Sequence, residues 1–244
     1  MEIGAAFRRK IVHFAKQKTK KYSKVLVYHD IHDDIKYTDM STSINQFTRH
    51  INIIRDMGFE IVKNITKTEN QVQITFDDAF LGIYNNFYII DKLNVHITIF
   101  VITSYLKNIY PYINHEQLNT LNKSSLVSIG SHTHSHRKLN ALSRKSLLFE
   151  LRKSKQKLED LLSVKITDLC YPEGKFSKKV IKIATDLGYN KQFSLIPGRY
   201  DKQLFKNVQR RSLVQHADDK EFENILMGGD NILEKWYMFK HYSL

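Results

Sequence analysis

The chain has 244 residues, of which 42% are hydrophobic, so it is long enough to bury the core of one large α/β domain. Its 38 Lys+Arg against 25 Asp+Glu give a formal net charge of +13, which favours an anionic partner or surface but does not define a reaction. The single cysteine, Cys170, excludes an intrachain disulfide and a zinc site built from cysteines. No uncharged apolar run approaches the roughly 18 residues of a membrane-spanning helix.

The first 23 residues form a basic segment, which we separate from a single domain over 24–244. The segment lacks the apolar run and the small-residue cleavage site of a secretory signal, so we expect a soluble, cytoplasmic protein. Apolar residues recur at helical spacing among its lysines and arginines, namely Ile3, Phe7, Ile11 and Phe14. A helix of this kind could lie peripherally on an anionic membrane surface, and a helix packed on the domain fits the pattern equally well.

Strand and helix patterns alternate along the rest of the chain. Apolar or alternating runs predict strands over 24–30, 59–62, 71–77, 95–101, 126–130, 166–171, 191–195 and 208–214. Helical spacing predicts helices over 43–57, 80–93, 142–163, 177–187 and 218–235, with a loop and a further helix between 110 and 125. This alternation predicts parallel βαβ units in one domain, closed into a distorted (β/α) barrel of about seven parallel strands.

Polar side chains stand where several of these strands end. Asp77 and Asp78 follow a buried strand, where one carboxylate could accept a proton while the other binds a metal; taken alone, the pair also fits a helix N-cap. His132 and His136 are spaced so that both imidazoles face one way on a compact turn, although a histidine-rich surface loop would look the same. Two imidazoles and a carboxylate suit Zn²⁺ or a neighbouring divalent ion.

Three segments in this order resemble the first three motifs of the polysaccharide deacetylases, the NodB-homology group. They are Thr75-Phe76-Asp77-Asp78, the histidine pair within 129–136, and Tyr171-Pro172-Glu173-Gly174. The resemblance covers roughly residues 24–226. It implies a catalytic base at Asp77 and one divalent metal ion, with Zn²⁺ as the best fit, on Asp78, His132 and His136. It further implies an oxyanion and substrate position at Tyr171, Pro172 and Glu173, where Glu173 replaces an aromatic residue that the family often has.

The sequence departs from the family pattern in two places. Cys170 stands where the family often has an arginine that orients the base, and we expect Arg210, on a later strand, to supply that arginine. Arg211 is the close competitor for this role. Alternatively, Arg210 is a basic residue on a solvated strand end, without a role in the site. The family's late Leu-x-His motif, whose histidine protonates the leaving amine, is absent from its usual place.

The strand that ends at His29 resembles this motif moved to the front of the chain, as in a circularly permuted member. We expect His29 to be the general acid in preference to His216, which is followed by a polar run. In a closed barrel the first and last strands are neighbours, which would bring His29 to the site. A partly buried histidine bonded to a backbone carbonyl would give the same sequence pattern.

The resemblance implies an enzyme, a metal-dependent hydrolase that removes an N-acetyl group from an amino sugar in a glycan or glycan precursor. A related deformylase or deacylase of sugar amides would carry the same motifs. A non-catalytic basic protein on the same fold, binding nucleic acid or an anionic membrane, is the alternative from another class. Nucleic acid is disfavoured because the basic residues are not interleaved with aromatic ones.

Overall fold

The structure is a computed structural model that describes residues 10–15 and 20–243. Ile3 and Phe7 of the predicted N-terminal helix therefore lie outside the described residues. The strands are β1 Lys24–Tyr28, β2 Asp30–His32, β3 Ser41–Ser43, β4 Glu60–Ile61, β5 Gln71–Phe76, β6 Ile97–Val101, β7 Val127–Ser131, β8 Asp168–Cys170, β9 Phe176–Ser177, β10 Lys191–Phe193, β11 Val208–Gln209, β12 Ser212–Leu213 and β13 Tyr242–Ser243.

The helices alternate with these strands. They are α1 Ile44–Asp56, α2 Leu81–Asn85, α3 Phe87–Lys92, α4 His115–Asn122, α5 Arg144–Leu162, α6 Lys178–Asp186, α7 Asp219–Leu226 and α8 Glu234–His241. Short 3₁₀ helices cover Leu139–Ala141, Pro172–Gly174 and Gly229–Leu233. Serine side chains cap the N-termini of α1, α5 and α6 by accepting a backbone N–H of the first turn.

One parallel sheet organises the molecule. Its strands pair in the order β11-β10-β8-β7-β6-β5-β1-β12, and β4 pairs with the start of β5. The two end strands, β11 and β12, are separated in the chain by Arg210 and Arg211 alone, so one short stretch of backbone spans the two edges of the sheet. The predicted distorted (β/α) barrel is confirmed, and the first strand does lie beside the last one of the sheet.

Two predicted helices are broken in the structure. The helix predicted over 80–93 is interrupted at Asn86, whose side-chain amide donates to the carbonyls of Ile31 and Gly82 instead of continuing the helix. The last predicted helix stops before Gly228, which adopts a left-handed φ of 81°, and the chain resumes as a 3₁₀ helix and then α8. Asp230 in this 3₁₀ helix forms a buried ion pair with Lys24 of β1, with 2.5 Å between Nζ and Oδ1.

The two faces of β5 have different chemistry, which determines where the site forms. Phe76 points toward the helices and stacks on Tyr28, with ring centroids 5.4 Å apart, and Phe47 of α1 contacts both rings. Thr75, on the other face, donates its hydroxyl to the Leu26 carbonyl and accepts from Arg211. Because side chains alternate along a strand, Asp77 continues the polar inner face at the carboxyl end of β5. Within the described residues, no helix is both long and apolar enough to cross a membrane.

Candidate active site

Asp77 is held by a buried arginine at the carboxyl end of β5. Arg211 Nη1 and Nη2 donate to Asp77 Oδ1 and Oδ2 at 2.7 and 2.9 Å, which is the bidentate geometry of an arginine–carboxylate pair. The Cys170 thiol donates to Asp77 Oδ2 at 3.4 Å. These three bonds leave one of the roughly four lone-pair sites of the carboxylate open, on Oδ1.

Every N–H of Arg211 has a partner. In addition to the two bonds to Asp77, it donates to Ser194 O, Thr75 Oγ1 and Cys170 Sγ at 2.8, 3.1 and 2.9 Å. Five donors and five acceptors make this fully buried guanidinium a fixed part of the barrel interior.

The choice of Arg210 as the residue that orients Asp77 is therefore wrong. Arg210 donates to the carbonyls of Lys202 and Pro197 and pairs with Glu234 at 3.0 Å, on the opposite side of the strand. The two arginines are adjacent, so they point to opposite faces of the extended backbone. The Arg-Arg pair in the sequence does not show which of them faces the barrel interior.

Asp78 leaves the strand geometry and turns back toward the site. Its φ of 69° and that of Ala79, 62°, are left-handed values that non-glycine residues adopt rarely and mostly at constrained sites. Its Oδ1 lies 3.3 Å from His132 Nε2 and 3.4 Å from His136 Nε2. The predicted trio of Asp78, His132 and His136 is thus brought together at one edge of the barrel.

The loop that carries the two histidines is fixed by a residue that the sequence patterns did not single out. Glu150, a buried carboxylate of α5, accepts the backbone N–H groups of His134 and Ser135 and the Ser135 hydroxyl. Thr133 and His136 both have positive φ, and Thr133 Oγ1 accepts the His136 N–H. The sequence did contain a sign of this role: Glu150 lies three residues after Leu147, on the apolar face of the helix, where a carboxylate needs a hydrogen-bond partner.

His134, which lies between His132 and His136 in the sequence, faces away from the trio. Its Nδ1 lies 2.9 Å from Thr103 Oγ1, and its ring meets Phe149 edge-on with centroids 5.5 Å apart.

The donor set around Asp78 fits a divalent cation. Asp78 Oδ1 is buried and has no hydrogen-bond partner among the described residues, although a buried polar atom without a partner is costly. His132 Nδ1 donates a hydrogen bond to the Cys170 carbonyl at 2.9 Å, which fixes the ring with Nε2 facing Asp78. One carboxylate and two imidazole nitrogens are the ligand types that Zn²⁺ accepts, with a further position open to water.

A second set of candidate ligands lies deeper, at Asp77, His132 and Cys170. Here both oxygens of Asp77 and the sulfur of Cys170 already accept from Arg211. The permanent positive charge of the guanidinium occupies the place that a cation would need, so the Asp78 set is the better metal site of the two.

The charges of the site hold both acids ionised. Burial by itself raises the pKa of Asp77, but Arg211, His132 and His29 together hold it well below its ordinary value. Burial likewise opposes ionisation of Asp78, and the neighbouring imidazoles of His132, His29 and His136 hold its pKa below its ordinary value. Burial and the neighbouring His132 lower the pKa of His136 to about 4, so this imidazole is neutral near pH 7 and available as a ligand.

His29 follows β1 and lies beside Asp77, because β1 and β5 pair in register at Tyr28 and Phe76 and the Asp77 N–H donates to Tyr28 O. Its Nδ1 is 2.8 Å from Gln215 Oε1, so Nδ1 carries the proton and the amide oxygen accepts it. The competing candidate, His216, is exposed at the surface. The structure thus brings His29 to the site and adds Gln215, a partner that the sequence did not indicate.

The third motif forms the 3₁₀ turn Pro172–Gly174, in which Glu173 has a φ of 52°. The assignment of Tyr171 to the substrate position is wrong. Its buried ring stacks on Phe176, and its hydroxyl donates to Gln192. The N–H groups of Tyr171, Gly174 and Lys175 bond to carbonyl oxygens, and Pro172 has none. The Glu173 N–H is therefore the donor that this turn can offer, while the Glu173 carboxylate pairs with Lys138 at 3.1 Å.

Replacing Arg211 by alanine is expected to raise the pKa of Asp77. An opposite charge within hydrogen-bond distance lowers a carboxyl pKa by roughly 1–3 units, so its removal leaves the burial that raises the pKa. If Asp77 acts as a base in its ionised form, the acidic limb of a kcat/KM pH profile should move to higher pH by at least about one unit.

Arg210→Ala is the matched control, because Arg210 is adjacent, is also buried and also forms an ion pair. Both variants are expected to lose stability: breaking the buried Arg211–Asp77 pair costs about 3–5 kcal/mol, and Arg210→Ala removes its bonds to the carbonyls of Lys202 and Pro197. Thermal unfolding is therefore measured on each. An unchanged pH profile in folded Arg211→Ala, or an equal shift in Arg210→Ala, would contradict the role of Arg211.

The fold and the site together define a class. This is a (β/α)-barrel protein with an acid and histidine centre at the carboxyl ends of its parallel strands, where barrels of this kind carry their active sites. The polysaccharide deacetylase family model matches residues 64–191, which is more than half of the chain. The protein therefore belongs to the polysaccharide deacetylase family.

Individual relatives agree with this assignment. YxkH of Bacillus subtilis (strain 168), which carries a polysaccharide deacetylase name, is 26% identical over 194 residues, covering 74% of this chain and 68% of YxkH. The crystal structure of BC0361, a polysaccharide deacetylase from Bacillus cereus, superposes with a TM-score of 0.73 at 21% identity, over 85% of this chain and 69% of that one. Streptococcus pyogenes deacetylase PplD, solved in complex with acetate, gives a TM-score of 0.70 at 20% identity, over 88% and 98%. At these identities, the two solved structures show a shared fold.

Proposed function

We propose that the protein hydrolyses the N-acetyl group of an amino sugar in a glycan or glycan precursor, with one divalent metal ion held by Asp78, His132 and His136. Membership of the family supports carbohydrate deacetylation as the reaction. The observation that carries the finer proposal is the convergence of Asp78 and two imidazoles around an unpartnered carboxylate oxygen, beside a second, ionised aspartate. Acetate, the acid product expected of this reaction, is bound in the structure of PplD.

Asp77 accepts the proton of the attacking water in this proposal. Arg211 keeps the carboxylate ionised and fixes its plane, and the open lone pair on Oδ1 provides the acceptor. A divalent ion at Asp78, His132 and His136 would polarise the acetyl carbonyl and acidify the water. As the carbonyl oxygen gains negative charge, the Glu173 N–H of the left-handed turn donates to it in this proposal.

His29 donates a proton to the departing amine. Its Nδ1–H is engaged by the Gln215 oxygen, so the proton that is transferred is carried by Nε2. The partner is a neutral amide, so it fixes the tautomer and orientation of the ring without adding a charge. The Thr42 hydroxyl donates to the backbone carbonyl of Gln215 and ties this residue to β3.

The direct test is product analysis. Purified protein is incubated with a panel of N-acetylated and N-formylated amino sugars and oligosaccharides, with and without added Zn²⁺, and released acetate, formate and free amine are quantified. Acetate release in proportion to new amine, lost on chelation and restored by a divalent metal, is the expected result. Formate release in preference to acetate would identify a deformylase. No release from any substrate by metal-loaded protein would favour a non-catalytic role.

Replacing His29 by alanine should affect substrates according to their leaving group. An amine must be protonated to depart, so deacetylation of an amino sugar should fall by about 10²–10⁴-fold. An aryl acetate releases a phenolate, which can depart without being protonated, so its hydrolysis should fall by much less. His216→Ala is the control and should leave both reactions unchanged. Equal losses on amide and aryl ester would contradict the assignment of His29 as the acid.

A further inference from the structure

The last helix, α8, has two faces of different character. Tyr237 and His241 lie on its buried face, together with Leu233 from the preceding 3₁₀ helix. On the other side, Trp236 is 45% exposed and Phe239 is 91% exposed. Ile232, one turn earlier, is 69% exposed. Single exposed apolar residues are ordinary, but the spacings of four and three residues set these three large side chains on one side of the helical segment.

The exposed charges of the segment that carries this surface, Gly229–His241, are positive. Lys235 and Lys240 are exposed and flank the two aromatic residues along the helix, and Lys240 Nζ lies 5.2 Å from the centroid of the Trp236 ring. Within Gly229–His241, all of which the structure describes, both acidic side chains are neutralised inward: Asp230 pairs with Lys24 and Glu234 with Arg210. A ligand approaching this face therefore meets aromatic rings bordered by ammonium groups.

We infer that the exposed face of α8 and of the 3₁₀ helix before it, formed by Ile232, Trp236 and Phe239 with Lys235 and Lys240, docks on the surface of an anionic phospholipid bilayer. Aromatic side chains prefer the headgroup region of a membrane, and lysines beside them can extend their ammonium groups to lipid phosphates while their stems lie on apolar surface. The excess of 38 Lys+Arg over 25 Asp+Glu attracts the whole protein to such a surface.

The same charge disfavours a second copy of the chain as the occupant, because two molecules of formal charge +13 repel each other. The docking surface is also joined to the candidate active site. A β-carbon added at Gly174 would lie 3.1 Å from His241 Nδ1, and β13, directly after α8, pairs with β9, directly after the third motif. Docking would hold that turn close to the membrane, but the inference stands whether or not the proposed reaction does.

Trp236 is the single tryptophan of the chain, so its fluorescence reports on this surface alone. The full-length protein is titrated with vesicles of phosphatidylglycerol and phosphatidylcholine in equal parts, and with vesicles of phosphatidylcholine only, at low and at high salt. The expected result is a blue shift of the emission and co-sedimentation with the anionic vesicles, weakened at high salt because the attraction is screened.

Variants locate the contact. Phe239→Ala should weaken partitioning into the anionic vesicles by about tenfold, because a large apolar side chain no longer leaves water. Each of Lys235→Gln and Lys240→Gln should weaken it by about fivefold. Phe149→Ala is the matched control: Phe149 is an exposed aromatic residue on α5 among the basic residues Lys145, Arg152 and Lys153, without apolar neighbours of comparable exposure on that helix.

Three results would overturn the inference. The first is an unchanged Trp236 emission with no co-sedimentation on anionic vesicles at low salt. The second is a blue shift that follows protein concentration without lipid, which would identify a second copy of the chain as the occupant. The third is an equal loss of vesicle binding in Phe149→Ala and Phe239→Ala, which would show general charge attraction without a defined surface.

Discussion

Asp77→Asn is expected to lower the deacetylation rate by about 10²–10⁴-fold, because an amide has the shape of the carboxylate but cannot accept a proton from water. The proposed ligands Asp78, His132 and His136 are untouched, so bound metal per chain should remain at the wild-type level. Since Asp77 is the buried counter-ion of Arg211, the variant should also lose about 3–5 kcal/mol of stability, and the assay is run well below its measured unfolding temperature.

Asp30→Asn is the control for this experiment. Asp30 is a fully buried aspartate one residue from His29, it accepts from Ser41, and burial raises its pKa to about 7. Asp30 is not among the five acceptors of Arg211 and lies outside the Asp78, His132 and His136 set, so activity should stay within a few-fold of wild type. Full activity in Asp77→Asn would exclude Asp77 as the base, and equal losses in both variants would indicate general damage to the barrel.

The ionised state of Asp77 also affects stability at low pH. Its pKa is depressed in the folded protein relative to the unfolded value of about 3.9, so its ionisation stabilises the fold above that pH. The contribution is lost as the pH falls below the unfolded pKa toward the folded one. In Asp77→Asn this part of the acid sensitivity should be missing, which acid titrations followed by circular dichroism can measure.

The sequence predicted the site residues correctly where polar residues follow an apolar strand, which is an unusual place for them. Two aspartates after a buried strand, or a spaced histidine pair after another, are unusual in an apolar context, and parallel strands bring their carboxyl ends to one edge. Asp77, Asp78, His132 and His136 therefore meet as the strand pattern predicted. His29 also reaches the site, because the first strand pairs with both β5 and β12.

What the sequence could not show depended on the direction of side chains. Arg210 and Arg211 are the same residue type at adjacent positions. Which of the two reaches Asp77 depends on the side of the backbone that faces the barrel interior at that position, and the sequence does not show this. Tyr171 belongs to a recognisable motif, yet its ring packs into the core because Cys170, the residue before it, faces Asp77 and side chains alternate along a strand. Gln215 contacts His29 across 186 positions of sequence, a distance over which no local pattern extends.

His132→Ala is expected to remove the metal itself. Losing a partner outside the ligand set typically costs 10–100-fold in metal affinity, so the loss of one of three protein ligands should cost more than about 100-fold. The measurement is zinc bound per chain after dialysis, together with the rise in unfolding temperature on adding Zn²⁺. A ligand that binds only the folded state raises that temperature, so wild type should show the rise and His132→Ala should not.

His134→Ala is the matched control, because it removes the same ring two residues away. His134 bonds to Thr103 and contacts Phe149, on the side of the loop opposite Asp78, so its variant should keep both the zinc and the thermal shift. A zinc-dependent stabilisation that survives in His132→Ala would place the metal elsewhere in the molecule. Loss in both variants would instead show that the loop, which Glu150 fixes through three hydrogen bonds, no longer holds its shape.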